Sequence, residues 1–186
     1  MTLFLKNTRG LIVYPFSGIS ADFAVMAGRR AAATFNLTAR TGDQLEPPWD
    51  ALNKRRRQYR SGSLVSRMPG ADELAGGPFA VLGITDLDIF VARLNYVFGQ
   101  TDQARGCALV SLARLRPEFY AKPPNRQLFE ERTEKEVVHE LGHVFGLAHC
   151  PDPACIMHFS NKIEDTDSKG PGFCAICSRL LSQGPV

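Results

Sequence analysis

The sequence predicts a single α/β (α+β) domain. Short apolar runs bounded by glycine or proline indicate buried strands, and segments with apolar residues at helical spacing lie between them. The length of 186 residues, of which 44% are hydrophobic, is enough for one full core. After residue 149 the chain is rich in cysteine, proline and glycine instead, so we expect little regular structure there.

The first half of the chain is predicted to alternate strands with helices. Ser20 can cap a helix over residues 20–32. A second helix is predicted after two prolines, where Trp49, Leu52 and Arg56 follow at helical spacing. The predicted strands of this half cover residues 11–14, 33–39 and 79–84, the last of them after a turn at residues 76–78.

The second half is predicted to hold a strand pair and two helices. The strands are residues 95–98 and 107–112, on either side of a turn. A helix over about residues 134–146 follows, because Thr133 and Glu136 fit a capping box. A short C-terminal helix, residues 175–182, is expected to bury three apolar side chains: Ile176, Leu180 and Leu181.

Three of the four histidines fall in one eleven-residue pattern, which begins on the predicted helix of residues 134–146 and ends just after it. His139 and His143 are four residues apart, so on a helix they lie on one face and can bind one metal ion. Gly146 can adopt a positive φ and end the helix, which would bring His149 back as a third ligand. Three protein ligands leave a fourth position open, as in a catalytic zinc site, and Glu140 could accept a proton from a water bound there. The alternative is a helix whose histidines are incidental.

Four of the five cysteines follow this pattern closely. Cys150 and Cys155 have the spacing C-x4-C, and Cys174 and Cys177 the spacing C-x2-C, which is typical of a closed thiolate zinc site. Two disulfides are an alternative for a secreted chain, and redox catalysis by the C-x2-C pair is another. The remaining cysteine, Cys107, begins an apolar run and is expected to be buried.

The stretch from His139 to His149 resembles the zinc-binding signature of the metzincin peptidases. The cysteine that follows it, then Cys155-Ile156-Met157 and Phe173-Cys174-Ala175-Ile176-Cys177, resemble one branch of that group, the archaemetzincins. Upstream segments at residues 57–59, 82–88 and 95–99 are also similar to that family. The resemblance implies a metzincin-like domain, in which a twisted mixed sheet with an antiparallel edge strand packs on the active-site helix.

The same resemblance implies roles for residues outside the histidine pattern. Met157 would lie beneath the catalytic metal as the Met-turn methionine, and the four cysteines would hold a second, structural zinc that staples the C-terminal segment. Substrate would lie extended along the edge strand. Our candidate for that strand is residues 95–100, whose first members are Asn95, Tyr96, Val97, Phe98 and Gly99.

We therefore expect a zinc-dependent peptidase with two zinc ions per chain, one catalytic and one structural. In this interpretation Glu140 activates the zinc-bound water that attacks the peptide bond. The alternative is a catalytically weak zinc protein that acts as a peptide-binding or interaction module. The single domain would divide into residues 1–146, which hold the sheet and the active-site helix, and residues 147–186, which hold the Met-turn and the cysteine site.

Charge and hydropathy restrict the remaining function classes. The net charge of +3 is small, and the acidic side chains around the cysteines would repel phosphate, so we expect no nucleic-acid partner. The basic cluster of residues 54–57 is interpreted as a solvated helix face, with a nucleic-acid contact as the alternative. No apolar stretch is long enough to span a bilayer, and residues 1–7 lack the pattern of a signal peptide. A cytoplasmic monomer that acts on peptides or proteins is expected.

Overall fold

Three parallel strands that are buried along their whole length form the centre of the fold. In the computed structural model, which describes residues 10–74 and 80–183, they are β1 (Leu11–Pro15), β5 (Ala80–Thr85) and β8 (Cys107–Ser111). Their uninterrupted apolar runs suit strands that are covered on both faces. The predictions of strands at these three places are confirmed.

Two shorter strands complete a five-stranded sheet in the order β2-β1-β5-β8-β7. The first, β2 (Ala39–Thr41), is parallel to β1, whereas β7 (Gly99–Asp102) is antiparallel to β8 and lies at the edge of the sheet. A second sheet contains β3 (Leu52–Asn53), β4 (Gln58–Arg60) and β6 (Ile89–Phe90). The predicted α/β (α+β) class, a mixed sheet with an antiparallel edge strand, is confirmed.

Helices cover both faces of the larger sheet. The five described α-helices are α1 (Ala21–Thr34), α2 (Ser61–Arg67), α3 (Arg126–Val144), α4 (Ile163–Ser168) and α5 (Ala175–Gln183). Single 3-10 turns occur at Trp49–Ala51, Ala71–Glu73 and Pro117–Tyr120. On one face α1 and α3 share a core with alternate residues of β1, β5 and β8, and on the other face α2 and the small sheet cover the residues between them. The longest helix, α3, therefore lies directly on the sheet, beside its edge strand β7.

Two predictions in the first half are wrong. The helix capped by Ser20 continues to Thr34, because its alanine-rich end packs into the core. Of the predicted strand 33–39, only Ala39 lies in a strand, at the start of β2. No helix follows Trp49, whose side chain is 92% exposed. The basic cluster of residues 54–57 instead forms the loop of a β3–β4 hairpin, where Arg56 donates to the carbonyl oxygens of residues 94 and 95.

The predicted strand over residues 95–98 is displaced along the chain. Regular pairing with β8 begins only at Gly99, and the predicted turn over residues 99–106 contains β7 itself. The carbonyl of Asn95 is bound by the side chains of Arg56 and Gln58, and Val97 forms an isolated bridge to Ile89. The contacts of Asn95 and Val97 are therefore with the small sheet and its hairpin loop, and only Phe98 hydrogen-bonds to β8.

The capping box predicted at Thr133 is also wrong. The helix α3 begins at Arg126, and the side chain of Asn125 accepts the amide hydrogen of Leu128 as its cap. Thr133 lies inside the helix and donates to the carbonyl of Phe129, one turn earlier. The helix is consequently two turns longer than predicted.

The C-terminal helix α5 is confirmed, but the prediction of its buried face is wrong. Ile176 is 64% exposed and Leu180 is 38% exposed, and Leu181 is only half-buried. The buried residue of this helix is Cys177. The predicted turn at residues 76–78, the first residue of the predicted strand 79–84 and the N-terminal residues 1–7 lie outside the described residues. Within the described part of the chain, no helix has both the length and the apolar character that a membrane crossing requires.

Candidate active site

The C-terminal half of α3 and the turn that follows it bring the three predicted histidine ligands together. His139 and His143 lie one helical turn apart on α3, with their Nε2 atoms 3.1 Å apart. The helix ends at Val144, and Gly146 has a φ of 94°, a backbone conformation that glycine adopts without strain. This turn places the ring of His149 4.7 Å from that of His143 and 5.4 Å from that of His139, measured between centroids.

The backbone orients two of these rings for metal binding. The Nδ1 atom of His139 donates to the carbonyl of Ile156, at 2.8 Å, and that of His143 donates to the carbonyl of Leu147, at 2.7 Å. The Nε2 atoms are therefore unprotonated and face the centre of the cluster. Burial lowers the pKa of His139 to about 3 and also lowers the pKa values of His143 and His149, so that all three rings are neutral at pH 7.

These donors fit a tetrahedral zinc ion. One donor atom from each histidine lies within 4.8 Å of the others. Zinc–nitrogen bonds of about 2.0–2.1 Å in a tetrahedron separate the nitrogens by about 3.3 Å, close to the observed distance between the Nε2 atoms of His139 and His143. A metal ligand must also be unprotonated, as these rings are.

Glu140 lies beside the histidines with its carboxylate against the edge strand. Its side chain is only 6% exposed, and the hydroxyl of Thr101 on β7 donates to its Oε2 atom at 2.7 Å. Burial raises the pKa of Glu140 to about 8, although the hydrogen bond from Thr101 acts in the opposite direction. The structure thus places a carboxyl group of raised pKa next to three neutral imidazoles.

A cleft of about 620 Å³ opens over the histidines and Glu140. One wall is formed by residues 94–101, which include all five residues that were predicted to begin the substrate strand. Residues 159–161 form part of the lining as well. The hydroxyl of Tyr96 donates to the carbonyl of Asn161 at 2.8 Å and so connects these two parts of the lining.

The four predicted cysteine ligands lie together behind this cleft. Their sulfur atoms lie within 4.8 Å of one another, and all four thiols are free. The sulfurs of Cys150 and Cys174 are 3.8 Å apart, far longer than the bond of about 2.05 Å in a disulfide. Zinc–sulfur bonds of about 2.3 Å in a tetrahedron separate the sulfurs by about 3.8 Å. The amide of Cys177 donates to the sulfur of Cys174 and lowers the pKa of that thiol to about 7.

Met157 lies in the turn between the two clusters. Its side chain is fully buried, and its sulfur packs so closely on Gly142 of α3 that a Cβ atom at Gly142 would lie 2.4 Å from it. The amide of Cys150 donates to the carbonyl of Met157 at 2.9 Å. The preceding residue, Ile156, accepts the hydrogen bond from His139. The turn thus contacts the active-site helix on one side and the cysteine cluster on the other.

The model of peptidase family M54 matches residues 51–183. The chain belongs to peptidase family M54. The archaemetzincin of Thermococcus kodakarensis is 44% identical to it over 147 residues, which are 78% of each protein.

Two solved structures are similar over nearly the whole chain. The crystal structure of archaemetzincin from Methanopyrus kandleri matches with a TM-score of 0.80 and 33% identity, covering 95% of this chain and 94% of that one. The crystal structure of a zinc-dependent peptidase from Methanocorpusculum labreanum matches with a TM-score of 0.81 and 26% identity, covering 92% of this chain and 100% of that one. This member of family M54 is accordingly a zinc metallopeptidase.

A group of ion pairs and hydrogen bonds that joins the α4 segment to α3 in this M54 chain is not predicted by the sequence. Arg132 makes two hydrogen bonds of 2.7 Å to the carboxylate of Asp167. Glu136 lies 2.8 Å from the ammonium group of Lys169 and also accepts the hydroxyl of Thr166. The sequence does carry a signal for these contacts. Arg132 and Glu136 precede His139 at helical spacing, so they lie on the same face of α3 as His139 and His143.

Proposed function

We propose that the chain hydrolyses peptide bonds at a zinc ion held by His139, His143 and His149, with Glu140 as the proton acceptor. The observation that supports this best is the convergence of three neutral imidazoles, two of them oriented by the backbone, and one buried carboxyl on the same cleft. Zinc, when bound, would lower the pKa of a water molecule and polarise the carbonyl group of the substrate.

The role of Glu140 follows from its surroundings. A general base works best when its pKa lies near the working pH, and burial moves the pKa of this carboxyl in that direction. Glu140 would take the proton of the attacking water and then deliver it to the amine that leaves. Its low exposure keeps bulk water from competing for that proton.

The edge strand β7 is the best candidate for binding the substrate backbone. The carbonyl of Phe98 accepts the amide of Ser111, so by the alternation of an antiparallel ladder the amide and carbonyl groups of Gly99 and Thr101 point away from β8. An extended peptide could pair with these open groups by β-augmentation. Residues 95–98, which are not a regular strand, would instead contact its side chains as part of the cleft wall.

The central test is a peptide-library digest with the zinc-loaded wild type and Glu140→Ala. We expect cleavage by the wild type only, with the same amount of zinc bound to both proteins. Normal turnover by Glu140→Ala would refute the assignment of the base. Peptides that both proteins bind and neither cleaves would favour the alternative of an interaction module.

We further propose that Cys150, Cys155, Cys174 and Cys177 bind a second, structural zinc. The sulfur spacing of a tetrahedral site supports this, as do the amide groups that donate to the sulfurs of Cys155 and Cys174. The ion would fix the turn of Met157 beneath the histidines, since structural zinc contributes directly to folding free energy.

Metal analysis tests the second site. We expect two zinc ions per wild-type chain and one in Cys174→Ser/Cys177→Ser. The remaining zinc of that variant should bind more weakly, because Cys150 directly follows the ligand His149. Unchanged affinity at the histidines in a folded variant would show that the two sites are not coupled, and one zinc or none in the wild type would refute the second site.

We also propose that the chain is a cytoplasmic monomer that acts on peptides or proteins and binds no nucleic acid. All five cysteines are free, which suits a reducing compartment. The division into residues 1–146 and 147–186 is part of this proposal, since the cysteine cluster lies wholly in the second part. Size-exclusion chromatography with light scattering would test the oligomeric state, and a dimer mass would contradict it.

A further inference from the structure

We propose that Thr101 is a positioning residue for Glu140, holding its carboxylate on the substrate-binding strand in space that Gly99 leaves open. This inference rests on the proposed role of Glu140 as the proton acceptor. It concerns how the chain fixes that group, which the histidine pattern does not determine.

The contact between Thr101 and Glu140 joins two elements that are distant in sequence. The hydroxyl lies 2.7 Å from the Oε2 atom of Glu140, a distance typical of a charge-assisted hydrogen bond. Within residues 10–74 and 80–183, no other side chain hydrogen-bonds to this carboxylate. A glutamate has several rotatable bonds, so a single donor next to a buried carboxylate can decide which orientation it adopts.

Gly99 provides the space that this orientation needs. A Cβ atom built on Gly99 would lie 2.6 Å from both the Cγ and the Oε1 atoms of Glu140, closer than any side chain could stay. Residues 99 and 101 are two apart on β7, so their side-chain positions face the same side of the sheet. Any residue with a side chain at position 99 would therefore push Glu140 away from the hydroxyl that holds it.

The same two residues also carry the open backbone groups of the edge strand. Their amide and carbonyl groups point away from β8, where an extended peptide would pair. A substrate bound there would lie directly beside the carboxylate that Thr101 holds. The strand that would bind the substrate thus also fixes the group that would receive the proton.

The hydroxyl can support Glu140 before and after the proton transfer. It lies 3.0 Å from the main-chain carbonyl oxygen of Glu140 as well as 2.7 Å from the carboxylate. It donates its hydrogen to the ionised carboxylate. Once the carboxyl carries a proton, the same oxygen can accept that hydrogen while its own turns to the main-chain carbonyl. Serine could do the same, and valine could do neither.

The test compares Thr101→Val with Thr101→Ser, both loaded with zinc. Valine has the shape of threonine without the hydroxyl, and we expect kcat to fall by about 10- to 100-fold while KM and zinc content stay close to the wild type. Serine should restore most of the loss in kcat. Wild-type kcat in Thr101→Val would overturn the inference, as would an equal loss in the serine variant.

Glycine variants provide a second comparison that does not depend on the hydroxyl. Gly99→Ala should lower kcat by displacing Glu140. The φ of Gly99 is not in the left-handed region, so the backbone at this position can accept alanine. Gly62→Ala is the matched control, because a Cβ atom there would meet only the side-chain amide of Gln100 at 3.9 Å. Equal activity of the two alanine variants would contradict the steric part of the inference.

A structural readout separates this inference from the proposed function. Crystal structures of zinc-loaded Thr101→Val and Thr101→Ser should show the Glu140 side chain moved in the first and retained in the second. An unmoved Glu140 in Thr101→Val would overturn the inference whatever the activity. If Glu140→Ala keeps full turnover, the proposed function fails; if it is inactive while Thr101→Val is fully active, only the positioning role fails.

Discussion

The ion pair between Lys169 and Glu136 is the contact whose removal should disturb the fold most. The Lys169 side chain is fully buried, and its ammonium nitrogen lies 2.8 Å from Glu136, which is 3% exposed. No hydrogen-bond partner of that nitrogen other than this carboxylate is found within the described part of the chain, so Glu136 is its counter-charge. Lys169→Met keeps an unbranched side chain of similar length and leaves the charge of Glu136 buried without its partner.

The expected loss is large because a single buried charge is more costly than a buried pair. Removal of one partner from such a pair destabilises a protein by about 3–5 kcal/mol. With an m-value of about 2 kcal/mol/M, the urea midpoint of Lys169→Met should fall by about 1.5–2.5 M. The hydroxyl of Thr166 still donates to Glu136, which places the loss nearer the lower figure.

The assay is urea unfolding of the zinc-loaded chain, followed by circular dichroism. The double variant Glu136→Gln/Lys169→Met removes both charges and keeps an acceptor for Thr166, so it should recover a large part of the midpoint. Arg126→Met is the control, because the Arg126 side chain is itself exposed on the surface of α3, so the loss of its ion pair should leave the midpoint unchanged. A Lys169→Met midpoint equal to that of the control, at the same m-value, would refute the reasoning.

Two further predictions concern residues of α3, Glu136 and Gly142. Burial raises the pKa of Glu136, but the charge of Lys169 and the hydrogen bond from Thr166 outweigh it and hold the pKa below the ordinary value of 4.5. The stability that this group contributes is therefore fully present above pH 4.5 and is lost as the pH falls through the lower, folded-state pKa. The free energy of unfolding in urea should fall more steeply in acid for the wild type than for Glu136→Gln/Lys169→Met. Parallel curves for the two proteins would contradict this. Gly142→Ala should weaken zinc binding at the histidines by about 10-fold in a chelator competition, because its Cβ atom would displace Met157; an unchanged affinity would show that the turn adapts.

The parts of the fold that sequence predicts are those fixed by local pattern. The strands β1, β5 and β8 appear as uninterrupted apolar runs because both faces of the central sheet are covered. The helix of His139 and the turn at Gly146 follow from residue spacing and from the freedom of glycine, over a few neighbouring residues. No distant contact is needed to predict either feature.

The parts that sequence does not predict depend on distant side chains. Residues 95–97 lie outside the larger sheet because Arg56 and Gln58 bind the carbonyl of Asn95, a contact between segments 37 to 39 residues apart. Thr101 is likewise separated from Glu140 by 39 residues, and no periodic pattern links them. The start of α3 was missed because its first two turns are mostly polar, so apolar spacing gives no signal there.

The tail after His149 is fastened to α3 by contacts that depend on direction as well as distance. An apolar contact tolerates sliding, whereas the paired hydrogen bonds between Arg132 and Asp167 hold only in one orientation. A similar constraint acts where the tail accepts the hydrogen bond from His139, since a shift of Ile156 would rotate that ring. Because a displacement of about 1 Å at a site can lower a rate about 100-fold, orientation of the tail matters as much as its attachment. The buried charges at α4 and the proposed thiolate zinc therefore act in the same way: both hold the carbonyl of Ile156 in the position where it accepts the hydrogen bond from His139.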